Sequence, residues 1–242
     1  DYSNTDSATT DSDMEPETAA YIARVEADGG SIVSVELLDA EIAFLKTNGA
    51  FSKLNCLFSM HGGFKIRNAS GTKYIEKAYN VIGTNDLSQS TDVNQLILGA
   101  TSVNGIEVMS SAGSPQFMNL ASAITVNSLL IVNNITSSNA AAWIGNTAGS
   151  EYHAIASASV RWRVGSSTAT HTVTTNSNPK VDVSIRNTAD GSTRAYRNGT
   201  ESSTGAITKT ALTSQSYFAR GQINYAVGAF ATWLASEQSL TS

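Results

Sequence analysis

Residues 180–200, KVDVSIRNTADGSTRAYRNGT, constrain the fold of this chain more than any other stretch. Val181, Val183 and Ile185 alternate with polar residues, the period-two signature of a strand with one half-buried face. Asp190-Gly191 supplies a turn in which glycine accepts the positive φ of a tight hairpin. A second run, 192–198, ends in another turn signal, Asn198-Gly199. A β-hairpin of this kind belongs in an all-β body.

The rest of the chain has the same texture from Phe51 onward. Short runs such as 53–60, 64–67, 95–98, 124–133, 152–156, 159–164 and 224–234 are separated by Gly, Asn and Ser clusters. Close spacing of this kind predicts a sandwich or barrel rather than βαβ units. Before Phe51 the pattern is helical. Pro16 and Glu17 open one helix, with Tyr21, Ile22 and Val25 on a face and Asp28-Gly29-Gly30 as its stop. A second spans 34–47, with Leu38, Ile42 and Leu45 at helical spacing, Leu37 and Phe44 widening the stripe, and Asn48-Gly49 ending it. The division that follows is an acidic arm over 1–16, a helical pair for docking over 17–50, and the β body over 51–242.

Charge supports that division. Of the 20 acids, five lie in the first 16 residues, which hold no Lys or Arg, and the other fifteen balance the 15 bases. The arm has too little apolar surface to order itself alone. The neutral body offers no basic footprint for nucleic acid and no cluster for an anionic membrane. Cys56 stands alone, which excludes an internal disulfide and places it as a small buried hydrophobe. The chain begins at Asp1 and not Met, which reads as processing or as a portion of a longer product.

Several motifs follow one another in a familiar order. Ala69-Ser70-Gly71-Thr72 leads to Tyr79-Asn80-Val81-Ile82-Gly83-Thr84-Asn85-Asp86, then to Gln89, Gln95 and Asn104-Gly105-Ile106. Arg186-Asn187 leads to Arg197-Asn198-Gly199-Thr200, then to Phe218-Ala219-Arg220-Gly221 and a closing run over 227–238. Their order resembles concanavalin A-like, laminin-G-type jelly-roll domains of phage structural proteins and bacterial surface proteins. Asn80 stands where that family usually has Asp, and Leu96 where it commonly has Pro. The resemblance implies a mostly β jelly-roll sandwich preceded by a short helical pair and an extended arm. It further implies a non-enzymatic virion component, a head or tail appendage, partnered by other virion proteins and by copies of itself. Attachment to host-surface polysaccharide would fit that role. A secreted or cell-surface bacterial glycan-binding module is the alternative, and a glycoside hydrolase of the same fold a weaker one.

Catalytic patterns are missing from the sequence. Glucanases of this architecture carry E-x-D-x-x-E on one strand, since a retaining carboxylate pair sits about 5–5.5 Å apart. Glu107 and Glu151 are isolated and read as solvated side chains. No G-x-S-x-G elbow occurs, and His61, His153 and His171 lack ligand spacing. No cofactor is expected; for calcium, which some laminin-G-type domains bind at the rim, oxygen ligands would come from Asp86, Asp92, Asp182 or Asp190. Trp162 shares a strand face with Val160 and Val164 and reads as core, with Arg161 and Arg163 pointing the other way. Trp233 also reads as buried. Trp143, Tyr152 and Tyr225 remain as the candidate glycan platform.

Overall fold

In the computed structural model, two helices lead into a body of antiparallel strands. The structure describes residues 14–103, 106–112, 116–134, 141–146, 150–156, 158–174, 180–219 and 227–236. Helix α1 (Pro16–Ala27) carries proline in its first turn, where no intrahelical N–H is required, and gives way to Gly29 at φ 75°. Helix α2 (Val35–Thr47) is capped by Ser34, whose hydroxyl accepts from the Leu37 N–H at 3.4 Å. Tyr21, Val25, Leu38 and Ile42 share one buried cluster with Leu54, Leu57, Tyr79 and Val81. The helices therefore bury their stripes on the β body as well as on each other. Gly63 permits the close approach, because a Cβ there would meet both Val25 methyl groups at 2.8 Å. Leu37 and Phe44 do not widen the buried stripe. They are 44% and 66% exposed, because only the Leu38–Ile42 side of α2 meets the body.

The strands follow in order. β1 (Ser31–Ile32) lies between the helices; β2 (Cys56–Phe58), β3 (Gly63–Ala69), β4 (Thr72–Ala78) and β5 (Leu87–Ser88) come next. β6 (Leu96–Val103), β7 (Ile106–Ala112), β8 (Met118–Val126), β9 (Ser128–Asn134) and β10 (Ala141–Gly145) make up the middle. Then come β11 (Glu151–Ala156), β12 (Ser159–Val164), β13 (Ser167–Thr172), β14 (Lys180–Arg186) and β15 (Ser192–Arg197). The short β16 (Thr200–Glu201) and β17 (Ile207–Thr208), then β18 (Leu212–Phe218) and β19 (Val227–Ser236), complete them.

One sheet runs β1-β3-β4-β6-β7-β19-β9-β14-β15, with β2 beside the end of β19. The second runs β5-β8-β18-β10-β11-β12-β13. They join at one edge, where β5 also pairs with β4. The result is a mostly β jelly-roll sandwich, as the motif order implies. Phe58, Phe64, Leu87, Ile131, Trp162 and Phe218 fill the space between the sheets, with Cys56 buried among them.

Two local readings change. Residues 124–133 do not form one strand: the chain breaks at Asn127, whose N–H donates to Ser236 O at 2.9 Å and whose carbonyl accepts from Arg186 N–H at 2.7 Å. The start of β8 escapes a periodicity reading because Ala121, Ser122 and Ala123 in its middle are all exposed, which interrupts the alternation.

The larger correction concerns β14. Its apolar parity faces outward, with Val181 37% exposed, while Lys180, Asp182 and Ser184 are 2%, 1% and 3% exposed between the sheets. Asp182 accepts from Arg197 Nε at 2.7 Å and from Asn133 Nδ2 at 2.8 Å. Ser184 Oγ meets His153 Nε2 of the facing sheet at 2.7 Å. The core is polar at this end, so the polar residues of the hairpin turn in.

The 190–191 turn behaves as its residues predict. Gly191 sits at φ 72°, the Asp190 carboxylate accepts from Ser192 N–H, and a Cβ on Gly191 would lie 3.0 Å from the Lys209 carbonyl oxygen. Gly191→Val should cost about 1–3 kcal/mol, read by denaturant unfolding. Stability equal to the parent would contradict this geometry. Burial also pushes His153 down to about 3, helped by the charge of His171. The ring stays neutral in the fold while the unfolded chain takes up a proton near its ordinary value of 6.5. Stability should therefore be complete above pH ~6.5 and fall by ~1.4 kcal/mol per pH unit toward pH ~3 from this group. His153→Gln should flatten that slope in a pH series of unfolding curves.

Candidate functional site

A cleft of about 620 Å³ opens beside the end of α1, with Lys65, Lys77, Asp86, Ser88, Gln89 and Asn119 in its lining. Most of its charges pair with one another or with Arg24. Arg24 Nη1 donates to both oxygens of Asp86 at 3.0 and 2.9 Å, and Lys77 Nζ lies 3.2 Å from the same carboxylate. Asp28 accepts from Lys77 Nζ at 2.9 Å and from the Tyr79 hydroxyl at 2.8 Å, which together hold its carboxyl down at about 2. Asn80, Asp86, Gln89 and Gln95 are all buried. Asn80 Oδ1 accepts from Leu57 and Ile82 N–H, Gln89 Nε2 donates to Phe117 O, and Gln95 Nε2 donates to Gln89 O. The motif that carries the family resemblance thus ties loops and α1 to the sandwich.

The outer face of the second sheet is built differently. Pairing across six strand boundaries sets Ser88, Asn119, Tyr217, Gly145, Tyr152, Arg163 and Thr168 in one row. Neighbouring strands lie about 4.8 Å apart, so the row measures about 29 Å. Phe218, Ile144, His153 and Trp162 alternate with it and are buried, which fixes the row as the outward parity. Ser88 and Asn119 also line the cleft, so the row begins at its rim. Phe117 meets the Tyr217 ring edge-on at 5.5 Å. The Arg163 guanidinium stands 5.4 Å from the Tyr152 ring centre, and its Nε donates to Gly165 O at 3.0 Å. An aromatic pair flanking a residue without a side chain, with amide, hydroxyl and guanidinium groups on either side, can stack and hydrogen-bond an extended polar ligand.

Of the platform residues expected from sequence, Tyr152 lies in this row. Trp143 falls on the neighbouring β10, at the irregularity between Ala142 and Ile144, and its side chain lies outside the described residues, as does that of Trp233. Tyr225 also lies outside them. Trp162 is core, and Arg161 and Arg163 point the other way, as strand parity requires. Glu107 pairs with Lys73 Nζ at 2.7 Å. Glu151 is no merely solvated side chain. It accepts from Thr213 Oγ1 at 3.0 Å and Gln215 Nε2 at 3.1 Å, tying β11 to β18. The four aspartates considered for calcium are apart and engaged, Asp86 by Arg24, Asp92 by Arg67, Asp182 by Arg197 and Asp190 by its own turn. No group of three or more ligand side chains forms among the described residues. Tyr217 and Asn119 were not legible as site residues, since only strand pairing brings them beside Tyr152.

No family model matches the sequence. No curated protein matches it either. Among solved structures, the fold is similar to Trypanosoma rangeli sialidase in complex with sialic acid, with a TM-score of 0.50 and 12% identity. That likeness covers 78% of this chain and 31% of the sialidase, so this chain spans under a third of that protein. A lower likeness, TM-score 0.38 at 10% identity, relates 55% of this chain to 95% of the CBM40 of Ruminococcus gnavus IT-sialidase bound to alpha2,3 sialyllactose. At 12% identity the likeness to the Trypanosoma rangeli sialidase is one of fold alone.

The Arg24–Asp86 contact is the latch between α1 and the sandwich. Asp86→Ala leaves Arg24 and Lys77 facing a vacated, mostly buried site and should cost about 3 kcal/mol by chemical denaturation. A loss below about 1 kcal/mol would show that α1 holds by apolar packing alone.

Proposed function

We propose that this chain is a non-enzymatic phage virion protein, part of a head or tail appendage, whose sandwich binds host-surface polysaccharide along the row from Ser88 to Thr168. The observation that carries the reading is that row. It presents two tyrosines, an asparagine, two hydroxyl residues and a guanidinium on one outward sheet face, at a length suited to several sugar units. The order of turn motifs, similar to that in phage jelly-roll proteins, supports the place in a virion. Several weak sites on a repeated appendage would bind together far more tightly than one alone.

Binding without cleavage fits the carboxylates. Glu107 is held by a lysine and Glu151 by a hydroxyl and an amide. Hydrolysis needs an acid and a base flanking one bond, and these two are committed elsewhere.

The test is retention of the purified chain on a panel of bacterial polysaccharides, with reducing ends followed over a day. Retention without release is expected, weakened several-fold by Tyr152→Ala while the thermal midpoint holds. Sustained release of reducing ends, lost in Glu151→Gln, would overturn the non-enzymatic reading. Mass spectrometry of purified particles tests the virion assignment directly; absence of the chain from them would overturn it.

A further inference from the structure

The outward face of β11–β13 carries a second row, one pleat along from Tyr152, in which Ala154, Arg161 and Thr170 are paired neighbours. Arg161 and Arg163 therefore stand two residues apart on the same strand face, about 6.7 Å between Cα atoms. No carboxylate pairs with either among the described residues. Arg163 is engaged by Gly165 O and the Tyr152 ring, both uncharged. Arg161 is only partly exposed, and its Nε is buried with no hydrogen-bond partner. Neither Arg161 nor Arg163 has an anion among the described residues, which sets them apart from most of the other described arginines. Arg24, Arg67, Arg194 and Arg197 each have an Asp or Glu partner, and Arg186 donates to Lys209 O and Asn127 Oδ1. After the first 16 residues the acids and bases are equal in number, so two adjacent cations without an anion leave a local positive site. Guanidinium presents a planar fork matched to a carboxylate, and Thr168 and Thr170 add hydroxyls on the next strand.

We propose that the polysaccharide bound by this face is acidic, and that Arg161 and Arg163 hold its carboxylate groups while Tyr152 supports a sugar ring. This rests on the glycan-binding reading above and names the class of ligand. Arg161 is the discriminating residue, because Arg163 also packs on Tyr152 and would disturb the ring if changed.

The experiment uses the full chain and matched pairs of polymers. Polygalacturonate is compared with its methyl-esterified form, which keeps the sugar and removes the charge. Hyaluronate, alginate and polysialate extend the panel, and a short DNA duplex controls for charge alone. At least one acidic polysaccharide should be retained about tenfold more tightly than neutral polymers. That preference should be lost in Arg161→Gln, be partly restored in Arg161→Lys, and weaken in about 0.5 M NaCl. The thermal midpoint of each variant controls for folding. If a neutral glycan is retained, Tyr152→Ala weakens it and Arg161→Gln does not, the glycan-binding reading stands and the acidic class is overturned. If DNA is retained as tightly as the best acidic polysaccharide, the face is a general anion site and the proposal fails. If no polysaccharide is retained at all, both readings fail together.

Discussion

The ion pair between Arg197 and Asp182, whose side chains are 1% and 0% exposed, sets the arrangement of one end of the sandwich. Arg197 Nη2 also donates to Ala156 O at 3.0 Å and Nη1 to Thr174 O at 3.3 Å, so one guanidinium joins β15 to the facing sheet. Asn133 completes the anion's shell from β9. A one-residue slip of β14 would turn Val181, Val183 and Ile185 inward, as their pattern alone suggests, and carry Asp182 out. Burying an aliphatic side chain is worth about 1.5–3 kcal/mol. Leaving Arg197 buried without its anion costs several kcal/mol. The valines also keep part of their burial on the outer face, paired across the strand with Leu130 and Val132. The charged register therefore wins.

A second polar network performs a similar task at the other end. Arg24, Asp86, Lys77, Asp28 and Tyr79 fasten α1 to the edge where the two sheets join. Tyr21 adds to it, its hydroxyl donating to Tyr79 O and accepting from Gly63 N–H. The helices then cover the outer side of β2 and β9 through Leu57 and Leu130. The two sheets are unequal in consequence: one has its outer face partly capped by helices, and the other presents the row through Tyr152.

That asymmetry separates the polar groups that hold the fold from those free to meet a ligand. Most charged residues of the cleft are spent on one another, so a ligand entering there would have to displace ion pairs. The outer face of the second sheet has aromatic rings, an amide and, one pleat along from Tyr152, an arginine with an unpartnered nitrogen. Recognition at low cost needs groups that are positioned yet unsatisfied, and this face has them.

Much of the fold was legible in the sequence because it rests on local signals. The helix boundaries follow from Pro16, Ser34, Gly29 and Gly49, and the 190–191 turn from the positive φ that glycine tolerates. Strand existence followed from alternation, and the inward side of Trp162 from its neighbours Val160 and Val164. Alternation fails where the core itself is polar, which is why β14 reads inside out, and where both parities are exposed, as in the middle of β8. The site was less legible. Tyr152 could be singled out as an aromatic without a core pattern, but Tyr217, Asn119 and Arg163 join it only through pairing between strands distant in sequence. Arg161 looks like any solvated arginine until the ion pairs of the other arginines are known. Local conformation is set by the chemistry of a few adjacent residues, and so the sequence determined the elements and most of their turns. Which charges find partners, and which face stays uncovered, depends on long-range register, and only the tertiary structure decided that.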